Sequence, residues 1–216
     1  IRQVWDETND GLETLPKNID ALVQQIDKAA QVFWSDPGRH KTGRLNLRKA
    51  RYEICNNGIG LDGQFDDDIR WAIADKCGQL MFEKTTLYPD AISTLNKLRH
   101  NKVKLALVTN GTSSAQRKKI NKFDLENHFD HIQIEGEAGI GKPELEAYKK
   151  ALTALGVGAS ETWMVGDNLE WEVIAPQKLG IFSIWRDPHG DGTLPKNTTA
   201  RPDMIITKLS ELLNGC

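Results

Sequence analysis

The chain has 216 residues, enough for one sizeable domain or for a core with a smaller inserted unit. Its 28 basic and 30 acidic residues nearly balance, which argues against a dedicated binder of nucleic acid. The cysteines Cys55, Cys77 and Cys216 show no Cys-x-x-Cys spacing, so they indicate a reduced intracellular protein without a disulfide scaffold or a zinc site. No apolar run approaches the ~20 residues of a membrane helix and no signal peptide is visible, so we expect a cytoplasmic protein that binds no membrane.

The first part of the chain is predicted to be helical after a short strand at residues 1–5 and a polar turn at 6–11. The predicted helices begin at Pro16, near Leu47 and among Asp66, Asp67 and Asp68, and the first two end at Asp36-Pro37-Gly38 and Asn56-Asn57-Gly58. Because no strand separates these three helices, residues 12–87 are predicted to form a small helical unit of their own.

After Tyr88-Pro89, apolar strands alternate with amphipathic helices. The predicted strands cover residues 103–108, 132–135, 162–167, 181–185 and 204–206. Strands separated by helices predict an α/β fold with a Rossmann-like, doubly wound parallel sheet. We therefore assign residues 1–11 and 88–216 to this α/β core, with a long surface loop at 187–202.

Three polar elements follow predicted strands: Thr109-Asn110-Gly111, Gly141-Lys142-Pro143 and Gly166-Asp167-Asn168. Parallel connectivity brings the carboxyl ends of strands to one edge of a sheet, where ligands bind, and the N-terminus of the helix that begins near Ser113 would favour an anion there. A hydroxyl, an ammonium and a carboxylate suit a phosphate group beside a divalent cation.

Each of these residues also has a purely structural interpretation. Thr109 is of a type that often caps a helix, Lys142 could be a solvated lysine, and Asp167 could cap the helix that follows it. The order and spacing of all three elements favour a functional site.

In this order, Val-Thr-Asn-Gly, Gly-Lys-Pro and Met-Val-Gly-Asp-Asn resemble the motifs of the haloacid dehalogenase (HAD) superfamily. The chain is most similar to the phosphatase branch with a helical cap, which includes phosphoglycolate and N-acylneuraminate-9-phosphate phosphatases. The resemblance implies that residues 12–87 form the cap. It also implies that Thr109 and Lys142 are catalytic, that Thr109, Asn110, Gly111 and Lys142 bind phosphate, and that Asp167 binds Mg²⁺. Glu172 stands where the family commonly has a second aspartate, and its role is left open.

The sequence departs from the family near its beginning. The resemblance implies an Asp-x-Asp-x-Thr motif after the first strand, in which one Asp attacks phosphorus and the other acts as acid and base. This sequence reads Val4-Trp5-Asp6-Glu7-Thr8 and has no Asp-x-Asp there. Three interpretations stay open: a segment after Val4 or Trp5 is missing from the sequence, Asp6 is a solitary shifted nucleophile, or the chain has lost catalysis and kept the fold.

The leading prediction is a Mg²⁺-dependent phosphatase that hydrolyses a small phosphorylated metabolite through an aspartyl-phosphate intermediate. Its expected state is a monomer or a homodimer, and nucleic acid is not among its expected partners. One alternative is a haloacid dehalogenase, but that branch resembles Ser-x-Asn where this sequence has Gly166-Asp167. Another is a catalytically silent HAD-fold binding protein, which the missing Asp-x-Asp would support. Nothing in residues 12–87 indicates which substrate is bound.

Overall fold

The computed structural model of the protein describes residues 19–59 and 67–215, which fall into two compact units. One unit ends at Thr86 and the other begins at Leu87. The strand predicted at residues 1–5, the turn at 6–11 and the first turn of the helix predicted from Pro16 lie outside the described residues, so their assignment stays a prediction. No helix within the described residues carries an apolar stretch long enough to cross a membrane.

Four α-helices form the described part of the first unit. They are α1 (Ile19–Ser35), α2 (Pro37–Arg44), α3 (Leu47–Ile59) and α4 (Asp67–Lys84). The sequence pattern did not predict α2, because its eight residues include no large aliphatic or aromatic hydrophobic side chain. Local capping explains it: the Asp36 side chain accepts a hydrogen bond from the Arg39 N–H at 2.7 Å, and Pro37 occupies the first turn.

The core of this unit consists of buried side chains from α1, α3 and α4. They are Ile26, Phe33, Ala50, Ile54, Cys55, Ile73 and Leu80. The prediction that a helix ends at Asn56-Asn57-Gly58 is wrong, because α3 continues through Gly58 to Ile59. A Cβ on Gly58 would lie 2.6 Å from the Ile26 Cα, so the glycine allows the backbones of α1 and α3 to pack closely.

The second unit alternates helices and strands along the chain, as predicted. Its strands are β1 (Ala106–Thr109), β2 (His131–Ile134), β3 (Trp163–Gly166), β4 (Phe182–Arg186) and β5 (Met204–Ile206). Its α-helices are α5 (Ala91–His100), α6 (Ser113–Lys122), α7 (Glu135–Ala138), α8 (Leu145–Leu155) and α9 (Ala175–Gln177). The described strands form two parallel sheets, β1-β2 and β3-β4-β5. Parallel strands with helical crossovers confirm the predicted α/β class.

The strands begin or end at slightly different residues from those predicted. β1 starts at Ala106 and not at residue 103, because only Ala106–Thr109 pairs with β2. β2 ends at Ile134, and Glu135 begins α7, so the segment predicted as a glycine-rich loop starts as a helix. β4 runs from Phe182 to Arg186, one residue later than predicted. Thr109 is the last residue of β1, Gly166 is the last residue of β3, and Gly141-Lys142-Pro143 follows β2 after α7.

Two contacts hold the turn after β3, which forms a short π-helical segment at Glu170–Ile174. Val173 is fully buried and packs with Trp185 of β4. The Tyr148 hydroxyl of α8 donates a hydrogen bond to the Trp171 carbonyl oxygen at 2.5 Å. Together these contacts fix the position of Glu172, which lies between Trp171 and Val173.

Candidate active site

The first motif occupies the turn between β1 and α6. Thr109 is the last residue of β1 and pairs in register with Ile134 of β2. The residue that caps α6 is Thr112, whose side chain accepts a hydrogen bond from the Ala115 N–H at 3.3 Å. The interpretation of Thr109 as a helix cap is therefore wrong, and its half-buried side chain stands at the sheet edge where a ligand is expected.

The Gly111 N–H, predicted to bind a phosphoryl oxygen, donates a hydrogen bond within the protein. Its acceptor is the Glu135 Oε2, at 2.9 Å. Gly111 has φ 114°, a conformation that favours glycine, and its carbonyl oxygen accepts from the Gly136 N–H at 2.9 Å. Binding of phosphate by this N–H would require it to exchange partners, so that role stays a prediction.

Glu135 is a buried carboxyl residue that the sequence analysis did not identify. It follows β2 directly, and it is 4% exposed. A Cβ on Gly141 would lie 2.5 Å from the Glu135 carboxyl carbon and 2.7 Å from the Asn110 Oδ1. Glycine at 141 therefore allows the loop before Lys142 to pass close to both side chains.

The Asn110 side chain connects the first motif to the second. Its Nδ2 donates to the Lys142 carbonyl oxygen at 2.7 Å, and its Oδ1 accepts from the Lys142 N–H at 2.9 Å. The Asn110 carbonyl oxygen in turn accepts from the Gln116 Nε2 at 2.8 Å. Two hydrogen bonds from one planar amide restrict both the position and the orientation of the Lys142 backbone.

The Lys142 side chain connects the second motif to the third. Its Nζ lies 2.7 Å from the Glu172 Oε1, and the two side chains are 12% and 3% exposed. The other carboxyl oxygen of Glu172, Oε2, accepts from the Asn168 N–H at 2.8 Å. Lys142 is therefore not a solvated surface lysine. It forms a nearly buried ion pair, and the three motifs make one hydrogen-bonded chain.

Glu172 sits in an environment that opposes its ionisation. Burial raises the pKa of its carboxyl above the usual value, while the charge and hydrogen bond of Lys142 lower it in part. The Asp167 charge also raises it. A Cβ on Gly166 would lie 2.1 Å from the Glu172 Cγ, so the end of β3 has no room for a larger residue. The open question about Glu172 has a structural answer: it is the partner of Lys142.

Asp167 differs from Glu172 in being exposed. Its backbone carbonyl oxygen accepts from the Trp185 Nε1 at 2.8 Å, and this contact holds the residue at the carboxyl end of β3. The following turn is capped by Asn168, whose Oδ1 accepts from the N–H groups of Glu170 and Trp171 at 3.0 Å. Because Asn168 performs the capping, the Asp167 carboxylate is left available for a ligand.

The donor set fits Mg²⁺ in a limited way. Mg²⁺ commonly takes one or two carboxylates together with water and phosphate oxygens. Asp167 supplies one exposed carboxylate, and the neighbouring Glu172 is already engaged by Lys142 and Asn168. Within residues 19–59 and 67–215, no group of three or more His, Cys, Asp or Glu side chains could hold a metal.

A second ion pair joins the helices that follow β1 and β2. Arg117 of α6 donates to both carboxyl oxygens of Glu137 in α7, at 2.8 and 2.7 Å, and the Ser113 hydroxyl donates to Glu137 at 2.6 Å. These hydrogen bonds, that of Arg117 first, lower the pKa of Glu137 to about 2. The pair connects the starts of α6 and α7, next to the turn that carries Thr109.

The fold and the candidate site define a doubly wound α/β protein in which Thr109 and Asp167 lie at the carboxyl ends of parallel strands, where ligands bind in such folds. The family model of the haloacid dehalogenase-like hydrolases matches residues 1–180 of this sequence. This is well over half of the chain, which therefore belongs to that family, as the motifs predicted.

Two curated relatives and one solved structure illustrate the similarity. The phosphoserine phosphatase of Thermus thermophilus is 38% identical over 126 residues, which cover 58% of this chain and 49% of that protein. The pyrimidine 5'-nucleotidase YjjG of Escherichia coli is 28% identical over 168 residues, covering 77% of this chain and 71% of that protein. This chain thus spans about half the length of the phosphoserine phosphatase, a share close to that of other curated relatives.

The HAD-hydrolase YfnB from Bacillus subtilis, whose crystal structure was solved with bound magnesium, has the same fold. Its TM-score to this chain is 0.75 with 21% sequence identity, over 99% of this chain and 87% of YfnB. A similarity at this level of identity establishes the fold.

Proposed function

We propose that this protein is a Mg²⁺-dependent phosphatase that hydrolyses a small phosphorylated metabolite through an aspartyl-phosphate intermediate. The observation that carries the proposal is the hydrogen-bonded chain from Asn110 through Lys142 to Glu172, which joins the three motifs. Membership of the haloacid dehalogenase-like hydrolases supports it. So do the names of relatives, which include a phosphoserine phosphatase and a nucleotidase.

In this proposal Lys142 supplies a positive charge that is already oriented before substrate arrives. Its backbone is held by Asn110 and its ammonium by Glu172, so little reorganisation is needed when a phosphate group enters. The ammonium has three N–H donors, of which Glu172 uses one. The remaining donors and the Thr109 hydroxyl would bind phosphoryl oxygens, as would the Asn110 N–H.

Asp167 would hold the metal ion, because it is the exposed carboxylate of the third motif. When bound, Mg²⁺ would neutralise phosphate charge and orient the ester. The Trp185 indole would keep the Asp167 backbone in place. Because Glu172 holds the Lys142 ammonium, that positive charge would keep a fixed orientation within the site. Glu172 is proposed to act through Lys142 and not as a ligand of the metal.

The proposed reaction needs a carboxylate nucleophile. One carboxylate oxygen attacks phosphorus, the bond from phosphorus to the ester oxygen breaks, and the departing alcohol takes a proton from an acid. Water then attacks the acyl phosphate, which releases inorganic phosphate and restores the carboxylate. Asp6 stays a candidate for this role and lies outside the described residues.

The first test is hydrolysis of p-nitrophenyl phosphate by the full chain. We expect turnover that requires Mg²⁺, that EDTA abolishes, and that Asp167→Asn reduces by a factor on the order of a hundred or more. Asp124→Asn is the matched control, because Asp124 is exposed and follows α6. Activity that survives EDTA or Asp167→Asn would overturn the assignment of the metal site. Complete inactivity with Mg²⁺ towards this ester, phosphoserine and a nucleoside 5'-monophosphate would instead favour a silent binding protein.

A second test concerns the intermediate. If Asp6 is the nucleophile, Asp6→Asn should be inactive and should no longer incorporate phosphate from a labelled substrate after rapid acid quenching. Retention of activity in Asp6→Asn would exclude Asp6 and leave the metal site untouched, so the two assignments fail separately.

A further inference from the structure

Arg186 carries a guanidinium group that the protein itself uses only in part. It is the last residue of β4, and its Nη1 donates a hydrogen bond to the Tyr88 hydroxyl at 3.0 Å. The guanidinium carbon lies 3.9 Å from the centre of the Tyr88 ring, so the cation is stacked on the aromatic face. Its Nε is buried, and this N–H finds no acceptor within residues 19–59 and 67–215. An unsatisfied buried donor costs free energy, which a bound acceptor would recover.

The unused donors belong to the edge of a guanidinium that recognises carboxylates. Nε and Nη2 direct N–H bonds to the same side of the group, and this fork matches the two oxygens of one carboxylate. Tyr88 engages Nη1, which lies outside that edge. In the described part of the chain, no carboxylate forms an ion pair with Arg186. The edge therefore lacks the acceptor for which its geometry is suited.

Two other arginines show that this protein pairs the same edge with carboxylates. Arg48 donates from Nε and Nη2 to the two carboxyl oxygens of Asp75, at 2.7 and 2.9 Å. Arg117 donates from the same two atoms to the two carboxyl oxygens of Glu137, at 2.8 and 2.7 Å. Among the described residues, Nε and Nη2 of Arg186 have no such partner.

Arg186 stands at the sheet edge that carries the candidate active site. The last residue of β3, Gly166, pairs in register with Trp185, so Arg186 is next to Asp167 where the two strands end. Neighbouring strands lie about 4.8 Å apart. The hydrogen bond from the Trp185 Nε1 to the Asp167 carbonyl oxygen, at 2.8 Å, keeps these two strand ends together. The long Arg186 side chain is thus within reach of a ligand that is held at Asp167.

We propose that Arg186 binds a carboxylate of the substrate through Nε and Nη2, so that the substrates are phosphate monoesters whose alcohol part carries a carboxylate. This inference rests on the proposed phosphatase function, in which Lys142 and Thr109 bind the phosphate group and the alcohol part has no assigned partner. The carboxylate supplies the acceptor that the buried Nε lacks. Tyr88 holds the guanidinium before the ligand arrives, which reduces the cost of ordering it on binding.

The side chain can present this edge through a local movement. Arg186 is half-buried and Tyr88 is 48% exposed, so the stacked pair lies at the surface of the second unit. Rotation about the Arg186 side-chain bonds would turn the Nε edge towards solvent while the guanidinium stays over the ring. Because Nε has no acceptor in this structure, the rotation breaks no hydrogen bond of that atom.

The test compares two pairs of esters that differ by one carboxylate, phosphoserine against phosphoethanolamine and phosphoglycolate against ethyl phosphate. We expect the kcat/KM of the full chain to be at least about tenfold higher for the carboxylated ester of each pair, as for other hydrogen bonds between charged groups. Arg186→Met should bring this ratio close to one. Arg186→Lys keeps the charge without the fork and should restore only part of the preference. Arg99→Met is the control, because Arg99 is exposed on α5, and it should keep the wild-type ratio.

Two kinetic results would overturn the proposal: a ratio close to one in the wild type, or a wild-type ratio in Arg186→Met. Circular dichroism and the melting temperature establish that each variant is folded. If Arg186→Met does not fold, Arg186→Lys decides, since a ratio equal to that of the wild type would exclude recognition by the fork.

Failure of the proposed phosphatase function would give a different result, in which no ester, including p-nitrophenyl phosphate, is hydrolysed with Mg²⁺. Calorimetric titration with phosphoserine and phosphoethanolamine then tests Arg186 without turnover. The proposal requires tighter binding of phosphoserine by the wild type and loss of that difference in Arg186→Met. Equal affinities in the wild type, or no binding of either ester, would overturn it.

Discussion

Replacing Lys142 by methionine should leave Glu172 as a buried carboxylate without its counter-ion. Methionine has a similar length and no charge, so the change removes the ammonium and little else. The Glu172 side chain is only 3% exposed and cannot regain its hydration. Loss of one partner from a buried ion pair typically costs roughly 3–5 kcal/mol of unfolding free energy. Since the Asn168 N–H still donates to Glu172, we expect about 3 kcal/mol, at the lower end of that range.

The loss should depend on pH in a defined direction. Burial already raises the pKa of Glu172 and Lys142 opposes this, so the variant raises that pKa further. For a carboxyl whose pKa is higher in the folded state, stability falls as pH rises from the unfolded value of about 4.3 to the folded value, at about 1.4 kcal/mol per pH unit. Lys142→Met should therefore be closest to the wild type at about pH 5 and most destabilised at about pH 8.

The double variant Lys142→Met with Glu172→Gln isolates the charge effect. It removes both charges, so its stability should lie within about 1 kcal/mol of the wild type and should no longer vary between those two pH values. Urea unfolding of Lys142→Met, Glu172→Gln and the double variant, followed by hydrogen exchange of β3 and β4 amides, measures the second unit separately from the first. An equal loss for Lys142→Met at both pH values, or a double variant as unstable as the sum of the singles, would refute the reasoning.

Three further predictions concern other contacts. Asn110→Ala removes both hydrogen bonds to the Lys142 backbone, so it should reduce the free energy of unfolding by about 2 kcal/mol. It should also lower kcat more than it raises KM. An unchanged kcat would exclude a positioning role for Asn110. The pKa of Glu137 is lowered to about 2, mainly by Arg117, so ionised Glu137 should stabilise the fold at pH values above its unfolded pKa. This stabilisation should be lost as the pH falls through about 2. NMR titration of the carboxyl group measures the pKa, and Arg117→Ala should return it towards its usual value. Gly58→Ala should destabilise the helical unit by about 1–3 kcal/mol in thermal unfolding, because its Cβ would meet the α1 backbone; unchanged stability would show that the helices separate at no cost.

The fold class could be predicted from the sequence because its periodicities are long and consistent. Five apolar strands, the first four of which alternate with helices, leave few alternatives, and each strand predicted within residues 88–216 exists within three residues of its expected bounds. The errors occur where a local property depends on a distant contact. In the sequence, Asn56-Asn57-Gly58 resembles a helix end, but the close approach of α1 explains why glycine is needed at position 58. No pattern within α3 could have indicated that neighbour.

For the candidate site too, features with a local sequence signal could be predicted, and features that depend on a distant contact could not. Thr109, Lys142 and Asp167 were predicted as site residues because they belong to motifs of recognisable order, and their roles stay predictions. Glu135 was missed, since a glutamate after a strand is common and its acceptor role for the Gly111 N–H requires a turn from another strand. The position directly after an apolar strand was the one indication available. The pairing of Glu172 with Lys142 likewise joins residues thirty positions apart, which spacing alone does not reveal.

Because Gly166 and Glu172 are tightly packed, the residue types that one position tolerates depend on the residue at the other. The Glu172 side chain, which is longer than that of aspartate, occupies the volume that a side chain at position 166 would need. Shortening the acid to aspartate would vacate a methylene-sized space, and alanine at 166 could then occupy part of it. Across homologous sequences we would thus anticipate correlated choices at the pair, with alanine at the first site tolerated mainly alongside the shorter acid at the second.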